Sequence, residues 1–472
     1  MSTSEARGPQ VDMPEDPGHP PRGQRRVGAA QRDVSPTDSQ FLFGYPHVER
    51  MSTGVHDPLL AVAMVLEDGA QQAILVAVDV ILLTKWQVAE ARREIARTTG
   101  VPAAHIMIAA THTHSGPVTA DLLSATNDSV VPPPDPTYVR ALVQGIVQAA
   151  QDAYRDRQPA TIGFAVAAAA GIGTNRHDPE GPSMPEAPVL VARSLQDQRV
   201  ICVMSVCSMH PTVLHEDSTL VSGDFPAFAR QYLQQHALGA DCPIVYFMGA
   251  AGNQSPRHVT RANTLDEADR LGTILGQAWV SAVNQAKFLT DWTLDLATTL
   301  VELPVRTLPP LQQAKDTLRD SRKKLDRLRQ SGAPRAEVRT AECDWFGAEE
   351  TVMLARAAQD GRLDDIARTC MPAEIQMIGI GPWTFVGWPS EVFVEFAIEV
   401  RQRHPNAFIV TLANGDLQGY LVTAEAVENK FYEASNAVFA SPDSAQLLVA
   451  NTCQLLTKSR ASGASLGAPD VP

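Results

Sequence analysis

The sequence lacks a long apolar segment. Its most apolar stretch, residues 73–83, is interrupted by Asp79 and is much shorter than the roughly 20 residues that a membrane-spanning helix needs. The amino terminus carries charges and prolines instead of the apolar core of a secretory signal. These absences predict a chain that has no transmembrane segment and works in the cytoplasm.

Cysteine and positive charge are also scarce. The six cysteines are spread along the chain without a CxxC pair, which disfavours a disulfide framework and favours reduced, buried thiols. The 53 acidic residues outnumber the 39 basic ones and give a net charge of -14, which argues against a nucleic-acid partner or an anionic membrane surface. A chain of 472 residues is long enough for one large α/β domain.

The most informative motif is THTHSGP at residues 111–117. It follows residues 104–110, an apolar run that predicts a buried strand. Side chains two positions apart in an extended segment point the same way, so His112 and His114 could reach one metal ion or one substrate atom. A His-x-His pair is also compatible with two ordinary polar residues in a loop, and this motif alone leaves both interpretations open.

Other polar residues also follow predicted strands. Residues 73–82 read as a strand and are followed by a helix that Thr84 can cap, so that residues 73–110 form a βαβ unit with Asp79 and His112 near its carboxyl edge. Residues 199–209 form another apolar run, and His210 follows it. The expected fold class is therefore α/β, with a mixed, largely parallel sheet flanked by helices.

Three boundaries follow from composition. Residues 1–38 are rich in Pro, Gly, Arg and Ser and predict a disordered lead, residues 39–456 predict the folded domain, and residues 457–472 predict a disordered tail. Within the domain, residues 309–360 are highly charged, with leucines at heptad spacing and a Ser-Gly-Ala-Pro break. This segment predicts an inserted helical hairpin with a solvated charged face.

Two further segments carry candidate polar residues. The glycine-rich loop at 249–256 contains Ser255 but lacks the Lys-Ser/Thr ending of a phosphate-binding P-loop. Ser390 can cap a helix that has Glu391 in its first turn. Each residue has a structural explanation when it is considered alone, whereas their shared position near strand ends favours a site.

Eight blocks, in this order, resemble the amino-terminal catalytic domain of the neutral and alkaline non-lysosomal ceramidases. They span about residues 41–455 and are THTHSGP at 111–117, NR at 175–176, HPT at 210–212, VSGD at 221–224, GNQSP at 252–256, PSE at 389–391, GYLVT at 419–423 and YEAS at 432–435. An ordered set of this size is far more specific than any one block.

The resemblance implies a zinc-dependent hydrolase of an N-acyl amide bond, the reaction that converts N-acylsphingosine to sphingosine and a fatty acid. Its implied ligands for one zinc ion are His112, His210, Glu391 and Tyr420.

The other implied roles concern the substrate. The resemblance places His114, Arg176 and Tyr432 at the reacting carbonyl, and makes Ser255 either a nucleophile or a contact to the substrate hydroxyl. Asp79 is a candidate for orienting a ligating histidine, and a buried structural carboxylate is an equally good interpretation.

The sequence departs from the family pattern at Val118-Thr119, where the family has a pair of glycines, and in the charged segment at 309–360. Two alternatives therefore stand beside an N-acylsphingosine hydrolase: a zinc hydrolase of another soluble amide or ester, and a non-catalytic binding protein on the same fold. An amidohydrolase barrel, which also has a His-x-His motif, is disfavoured because eight βα units are not found.

Overall fold

A computed structural model of the chain describes residues 24–121, 123 and 128–463. The first strands are β1 (Arg26–Asp33), β2 (Leu42–Phe43), β3 (Gly54–Val55), β4 (Leu60–Glu67), β5 (Gln72–Val78), β6 (Ile106–Ala110), β7 (Gly116–Pro117), β8 (Gln158–Ala168), β9 (Thr174–Asn175), β10 (Glu186–Ser194) and β11 (Val200–Cys207). The remaining strands are β12 (Leu220–Val221), β13 (Ile244–Met248), β14 (Gln254–Ser255), β15 (Lys287–Leu289), β16 (Leu294–Val301), β17 (Ala373–Ile380), β18 (Trp383–Gly387), β19 (Glu391–Val392), β20 (Ala407–Val410) and β21 (Tyr420–Leu421).

Helices occupy most of the connections between these strands. They are α1 (Lys85–Thr99), α2 (Pro136–Arg155), α3 (Phe225–Leu233), α4 (Leu265–Gln285), α5 (Leu311–Ser331), α6 (Arg335–Gln359), α7 (Leu363–Cys370), α8 (Val394–Arg403), α9 (Ala424–Glu428), α10 (Tyr432–Ser435) and α11 (Pro442–Gly463).

The largest sheet has the strand order β13-β11-β10-β8-β1-β4-β5-β6, and β15 pairs with β8 beside this path. The expectation of a mixed α/β fold with flanking helices is confirmed. The expectation that the sheet is largely parallel is wrong, because only the β11–β13 and β5–β6 pairs along this path are parallel.

The continuous apolar strands explain that error. Every residue from Ala61 to Leu66 in β4 is fully buried, a pattern typical of parallel strands that are covered on both faces. Here the strand is antiparallel to both neighbours, but α1 and α2 cover one face and a second sheet covers the other. The second sheet thus completes the burial of β4, and burial on both faces does not require parallel neighbours here.

The second sheet has the order β16-β17-β18-β20. Ile378 on β17 and Phe385 on β18 pack towards the large sheet, while Ile375 and Met377 pack towards α8 and α11. The layers therefore follow one another as helices, large sheet, second sheet and helices. The hairpin strands β17 and β18 confirm the expected turn at residues 381–382.

The start of the fold differs from the expectation. Strand β1 lies in the middle of the large sheet and pairs with β4 over its whole length, so residues 24–38 do not form a disordered lead. The buried side chains of β1, such as Val27 and Ala29, are small. The segment therefore does not stand out as an apolar run in the sequence. Residues 1–23, the rest of that predicted lead, lie outside the described residues.

The end of the chain shows a smaller difference. Helix α11 continues to Gly463, so residues 457–463 are helical and do not form the predicted disordered tail. Residues 464–472 lie outside the described residues.

The predicted charged hairpin consists of α5 and α6, which pack against each other along their length. Ala314 and Val352 lie in the apolar seam between the helices, and Lys324 on α5 pairs with Asp344 on α6 at 3.0 Å. Helix α6 also packs on α10, because Gly347 has no side chain: a Cβ atom there would lie 2.8 Å from Ser435 Cβ. The hairpin is thus attached to the short helix that begins at Tyr432.

The two halves of the large sheet approach each other beyond the short β1–β8 pairing. Strand β13 contacts β4, β5 and β6, although it lies at the opposite end of the strand order. The loops after β6, β11 and β13 are therefore neighbours in space. Within the described residues, none of the helices is long and apolar enough to cross a membrane.

A buried ion pair joins these halves and generates a stability prediction. Asp79 Oδ2 accepts from Arg230 Nη2 at 2.6 Å, and both side chains are almost fully buried. Replacing Asp79→Ala leaves the Arg230 guanidinium buried without its counter-charge, which we expect to lower the free energy of unfolding by about 3–5 kcal/mol in urea denaturation.

The matched control is Glu94→Ala, which removes an exposed ion pair with Arg97. Exposed pairs contribute little, so this change should shift the urea midpoint only slightly. Equal midpoints for the two variants would contradict the structural role of the Asp79–Arg230 pair.

Candidate metal centre

His112 follows β6 and has a left-handed backbone with φ of 70°. Its backbone N–H donates to Val80 O at 2.9 Å, and its ring Nδ1 lies 2.7 Å from Ile81 O. Because a carbonyl oxygen can only accept, Nδ1 must carry the proton, and Nε2 of the neutral ring then has a free lone pair. The loop therefore presents His112 as a metal ligand or as a base.

His210 follows β11 and repeats this arrangement. Its Nδ1 donates to Ala251 O at 2.7 Å, and its backbone N–H donates to Gln254 O at 3.2 Å. The carbonyl fixes the same tautomer, so the Nε2 lone pair again points away from the protein backbone. The Nε2 atoms of His112 and His210 are 3.1 Å apart.

Glu391 brings a carboxylate to these two nitrogens. Its Oε2 lies 3.2 Å from His112 Nε2 and 3.0 Å from His210 Nε2. Strand β19 holds it beside β21, with Glu391 opposite Tyr420 in register. The expected helix that begins at Ser390 is wrong: α8 starts only at Val394, and the Ser390 hydroxyl donates to Gly419 O at 2.6 Å.

This donor set fits a divalent metal ion. Four ligand atoms at roughly 2.0–2.1 Å from a tetrahedral centre are about 3.3 Å from one another. The two Nε2 atoms and Oε2 show separations of 3.0–3.2 Å. Oε2 is buried and accepts no hydrogen bond within the described residues. A central cation would satisfy all three acceptors at once.

The electrostatics show the same demand for positive charge. Burial alone would lower the pKa of His112, but the negative charge of Glu391 has the larger combined effect with its hydrogen bond, so the pKa of His112 is raised. Burial likewise opposes ionisation of Glu391, but His112 and His210 hold the pKa of that carboxyl well below its usual range. The centre is thus an anionic carboxylate among nitrogens, which is the charge arrangement that a metal cation stabilises.

His114 lies in the same group of ligand atoms. Its Nε2 is 3.3 Å from His112 Nε2, and its Nδ1 lies 3.1 Å from Gly44 O. Together His112, His114 and His210 form a group of buried or half-buried donors that could hold a metal ion, with all three ligand atoms within 4.8 Å. His112 and His114 converge as expected, but through the turn at His112 and not through an extended segment.

Gly44 matters for the position of His114. Its φ of 131° is unfavourable for other residues, and a Cβ atom there would lie 2.5 Å from His114 Nδ1. Only a glycine lets the carbonyl at this position approach the imidazole.

The candidate carbonyl-facing residues form a second group. Tyr420 and Tyr432 place their hydroxyl oxygens 3.3 Å apart, and the Arg176 guanidinium lies 5.4 Å and 5.1 Å from the two ring centroids. Glu433 is fully buried and accepts from Arg176 Nε at 2.8 Å. This ion pair holds Arg176 against the two phenols.

Ser255 is brought to the same cavity by the short β9–β14 pairing, in which it lies opposite Thr174. Its side chain is buried, and its hydroxyl accepts from the Arg257 backbone N–H at 3.4 Å. The hydroxyl therefore belongs to the cavity wall.

Of the two interpretations of Asp79, the structure favours the buried structural carboxylate. Its carboxylate accepts from Arg230, Thr111 and the Leu60 backbone. The two backbone carbonyls of Ile81 and Ala251 orient the histidines instead. Asp79 supports the site by holding Thr111, the residue before His112.

Sequence reasoning gave no role to the VSGD block at 221–224, and the structure supplies one. Ser222 accepts from the Thr113 hydroxyl and donates its backbone N–H to Ser115 O, while Asp224 Oδ2 accepts from the backbone N–H groups of Val213 and Leu214. The block therefore fixes both histidine loops. In the sequence, the signal for this role was a group of acidic and hydroxyl side chains between β12 and α3.

Asp416 is another residue that sequence reasoning missed. It is buried in the cavity wall near Glu391, and burial followed by the Glu391 charge raises its pKa to about 7. Its place after β20 is the same signal that marked His112 and His210, because it too lies in a loop that follows a buried strand.

The metal-centre residues and the candidate carbonyl-facing residues border one cavity of about 540 Å³. Its floor holds His112, His114, His210 and Glu391, its wall holds Arg176, Ser255, Tyr420 and Tyr432, and α6 of the hairpin contributes the opposite side. Volumes of this size accept a small organic ligand. The structure thus brings all eight predicted metal and catalytic residues to one space.

Residues 26–256 match the family described as "Neutral/alkaline non-lysosomal ceramidase, N-terminal". These residues, just under half of the chain, place that span in this family. The matched span includes His112, His114, Arg176, His210 and Ser255, whereas Glu391, Tyr420 and Tyr432 lie beyond it.

Two solved structures resemble the fold over nearly the whole chain. The neutral ceramidase from Pseudomonas aeruginosa is 20% identical, with a TM-score of 0.72 and coverage of 95% of this chain and 76% of that chain. A ceramidase complexed with C2 is 17% identical, with a TM-score of 0.71 and coverage of 95% and 77%. Family and fold together support a ceramidase-like hydrolase that acts on amide bonds.

We expect the chain to bind one divalent metal ion at this centre. His112→Ala and His210→Ala should each reduce the bound metal at least about tenfold, because a small N/O site that loses one ligand binds its metal much more weakly. Elemental analysis after dialysis against a fixed metal concentration measures this.

The control is His236→Ala, which removes an exposed histidine on the outer surface. It should leave the metal content unchanged. Full metal content in both the His112 and His210 variants would contradict the assignment of this centre.

Proposed function

We propose that the chain is a zinc-dependent hydrolase of an N-acyl amide bond. The observation that carries this proposal is the convergence of His112, His210 and Glu391 on the floor of a cavity whose wall holds Arg176 and Tyr432. A metal-ligand set and a pair of groups able to stabilise an oxyanion occur together in a ceramidase-family fold.

The proposed zinc ligands are His112, His210, Glu391 and Tyr420. Nitrogen and oxygen donors of this kind, arranged with a carboxylate, suit Zn²⁺. When bound, zinc would supply a Lewis acid that polarises the substrate carbonyl and lowers the pKa of water. Tyr420 lies opposite Glu391 on the paired strands β19 and β21. We therefore assign its phenol oxygen as the fourth ligand.

The protein's own groups would carry the proton transfers and the charge. His114 keeps its Nδ1 proton on Gly44 O, so its Nε2 is free to take a proton from water and return it to the leaving amine nitrogen. The Tyr432 hydroxyl and the Arg176 guanidinium would donate hydrogen bonds to the oxyanion that develops on the carbonyl.

Ser255 is assigned to substrate binding in this proposal. Its hydroxyl is buried in the cavity wall and is available to a substrate hydroxyl or amide. A role as nucleophile would require a base beside it, whereas its hydroxyl accepts a hydrogen bond from the Arg257 backbone N–H. Ser255→Ala should therefore raise KM more than it lowers kcat.

The proposal predicts different outcomes for neighbouring histidines. His114→Ala should retain zinc and lose about 10²–10⁴-fold in kcat, because it removes the proton carrier and not a ligand. His112→Ala should lose both zinc and activity. The measurements are zinc content and release of amine from a fluorogenic N-acyl sphingosine and from short N-acyl amides.

Two results would contradict this account. Loss of zinc in His114→Ala would make His114 a ligand. Absence of amide hydrolysis by the zinc-loaded wild type towards every substrate, with hydrolysis of an ester instead, would favour the alternative of an esterase on this fold.

A further inference from the structure

We infer that Arg257 and Arg335 bind an anionic group on the substrate, so that the preferred substrate is an N-acyl amide that carries a carboxylate or a phosphate. This inference rests on the proposed function, because it names the substrate class for the same cavity. Its basis is the position of the two arginines, the charges around them and the polar helix that covers the cavity.

Both guanidinium groups border the same cavity as the metal centre. Arg257 follows Ser255 by two residues and is tied to it by the backbone hydrogen bond to the serine hydroxyl. Arg335 is the first residue of α6 and reaches the cavity from the hairpin. One arginine therefore comes from the catalytic body and the other from the insertion.

His215 lies within the electrostatic influence of both arginines. It also borders the cavity, and its pKa is lowered to about 2, first by burial and then by the positive charges of Arg339, Arg335, Arg50 and Arg257. Four guanidinium groups thus act on one point of the cavity wall. The neutral His215 ring itself carries no charge at this point.

Two of the acidic side chains that border the cavity, Glu342 and Glu349, are already paired. Glu342 pairs with Arg329 and Arg339, and Glu349 lies 2.6 Å from His47 Nε2. Glu216 contacts the His215 ring.

Glu350 is the remaining acidic side chain of α6 that borders the cavity. Burial raises the pKa of Glu350 to about 8, so this side chain is largely uncharged at neutral pH. By contrast, neither Arg257 nor Arg335 forms an ion pair within the described residues. Two cationic groups therefore remain available to a ligand.

This arrangement gives the hairpin a function. An N-acylsphingosine has an uncharged headgroup and would leave both arginines without a partner. A substrate with an anionic oxygen group would pair with them by charge-assisted hydrogen bonds while its amide carbonyl lies at the metal centre. The insertion would then select small anionic amides over neutral lipid amides.

Binding can be measured without relying on catalysis. Three non-cleavable probes share a hexanoyl chain and a ketomethylene group in place of the amide, and end in a carboxylate, a phosphonate or a neutral carboxamide. Isothermal titration of wild-type protein should show at least one anionic probe binding about tenfold or more tightly than the carboxamide. The two anionic probes distinguish carboxylate from phosphate recognition.

Arginine variants test whether Arg257 and Arg335 cause the preference for anionic probes. In the Arg257→Gln, Arg335→Gln double variant the anionic preference should fall to less than about threefold, with carboxamide binding unchanged. Arg319→Gln removes an arginine on the outer face of α5, which pairs with Asp316, and should keep the full preference.

Hydrolysis of the cleavable amide counterparts is followed in parallel. Equal binding of the three probes to wild type, or an anionic preference that survives the double variant, would overturn the inference even if amides are hydrolysed. Anion-selective binding that depends on both arginines, without hydrolysis of any amide by the zinc-loaded protein, would uphold the anion site and refute the proposed reaction.

Discussion

The centre depends on two hydrogen bonds from imidazole to backbone carbonyls. Ile81 O and Ala251 O hold the Nδ1 protons of His112 and His210, and so decide that both Nε2 lone pairs face Glu391. If either ring adopted the other tautomer, an N–H group would point into the centre and a cation would be repelled. Backbone carbonyls suit this task because they have no protonation state to change.

The fold supplies these carbonyls by joining distant parts of the chain. The carbonyl of Ile81 follows β5, and that of Ala251 follows β13 from the other end of the large sheet. The Asp79–Arg230 pair and the VSGD block then hold the two histidine loops against each other. Rigid support of this kind keeps three acceptor atoms near 3 Å from one another despite their mutual repulsion.

Much of the site could be predicted from sequence, and the failures have physical causes. His112 and His210 were recognisable because each ends an apolar strand. Glu391 was placed in a helix because Ser-Glu after Pro is a good helix start, but pairing with β21 keeps it extended.

Long-range contacts account for the other differences. The role of Asp79 and the central position of β1 depend on partners, Arg230 and β4, that are far away in sequence. The direction of neighbouring strands was also beyond local patterns, since helices on one face and the second sheet on the other bury antiparallel strands completely. By contrast, the charged helical hairpin of α5 and α6 was predictable because heptad leucines and a Ser-Gly-Ala-Pro break are local signals.

The central claim is that His112, His210 and Glu391 surround one metal ion. Its most direct test is anomalous X-ray diffraction at the zinc edge from crystals grown with zinc. The account predicts one strong peak at about 2.0–2.2 Å from His112 Nε2, His210 Nε2 and a Glu391 carboxylate oxygen. A peak elsewhere, or no peak with Glu391 hydrogen-bonded directly to a protonated histidine, would contradict it.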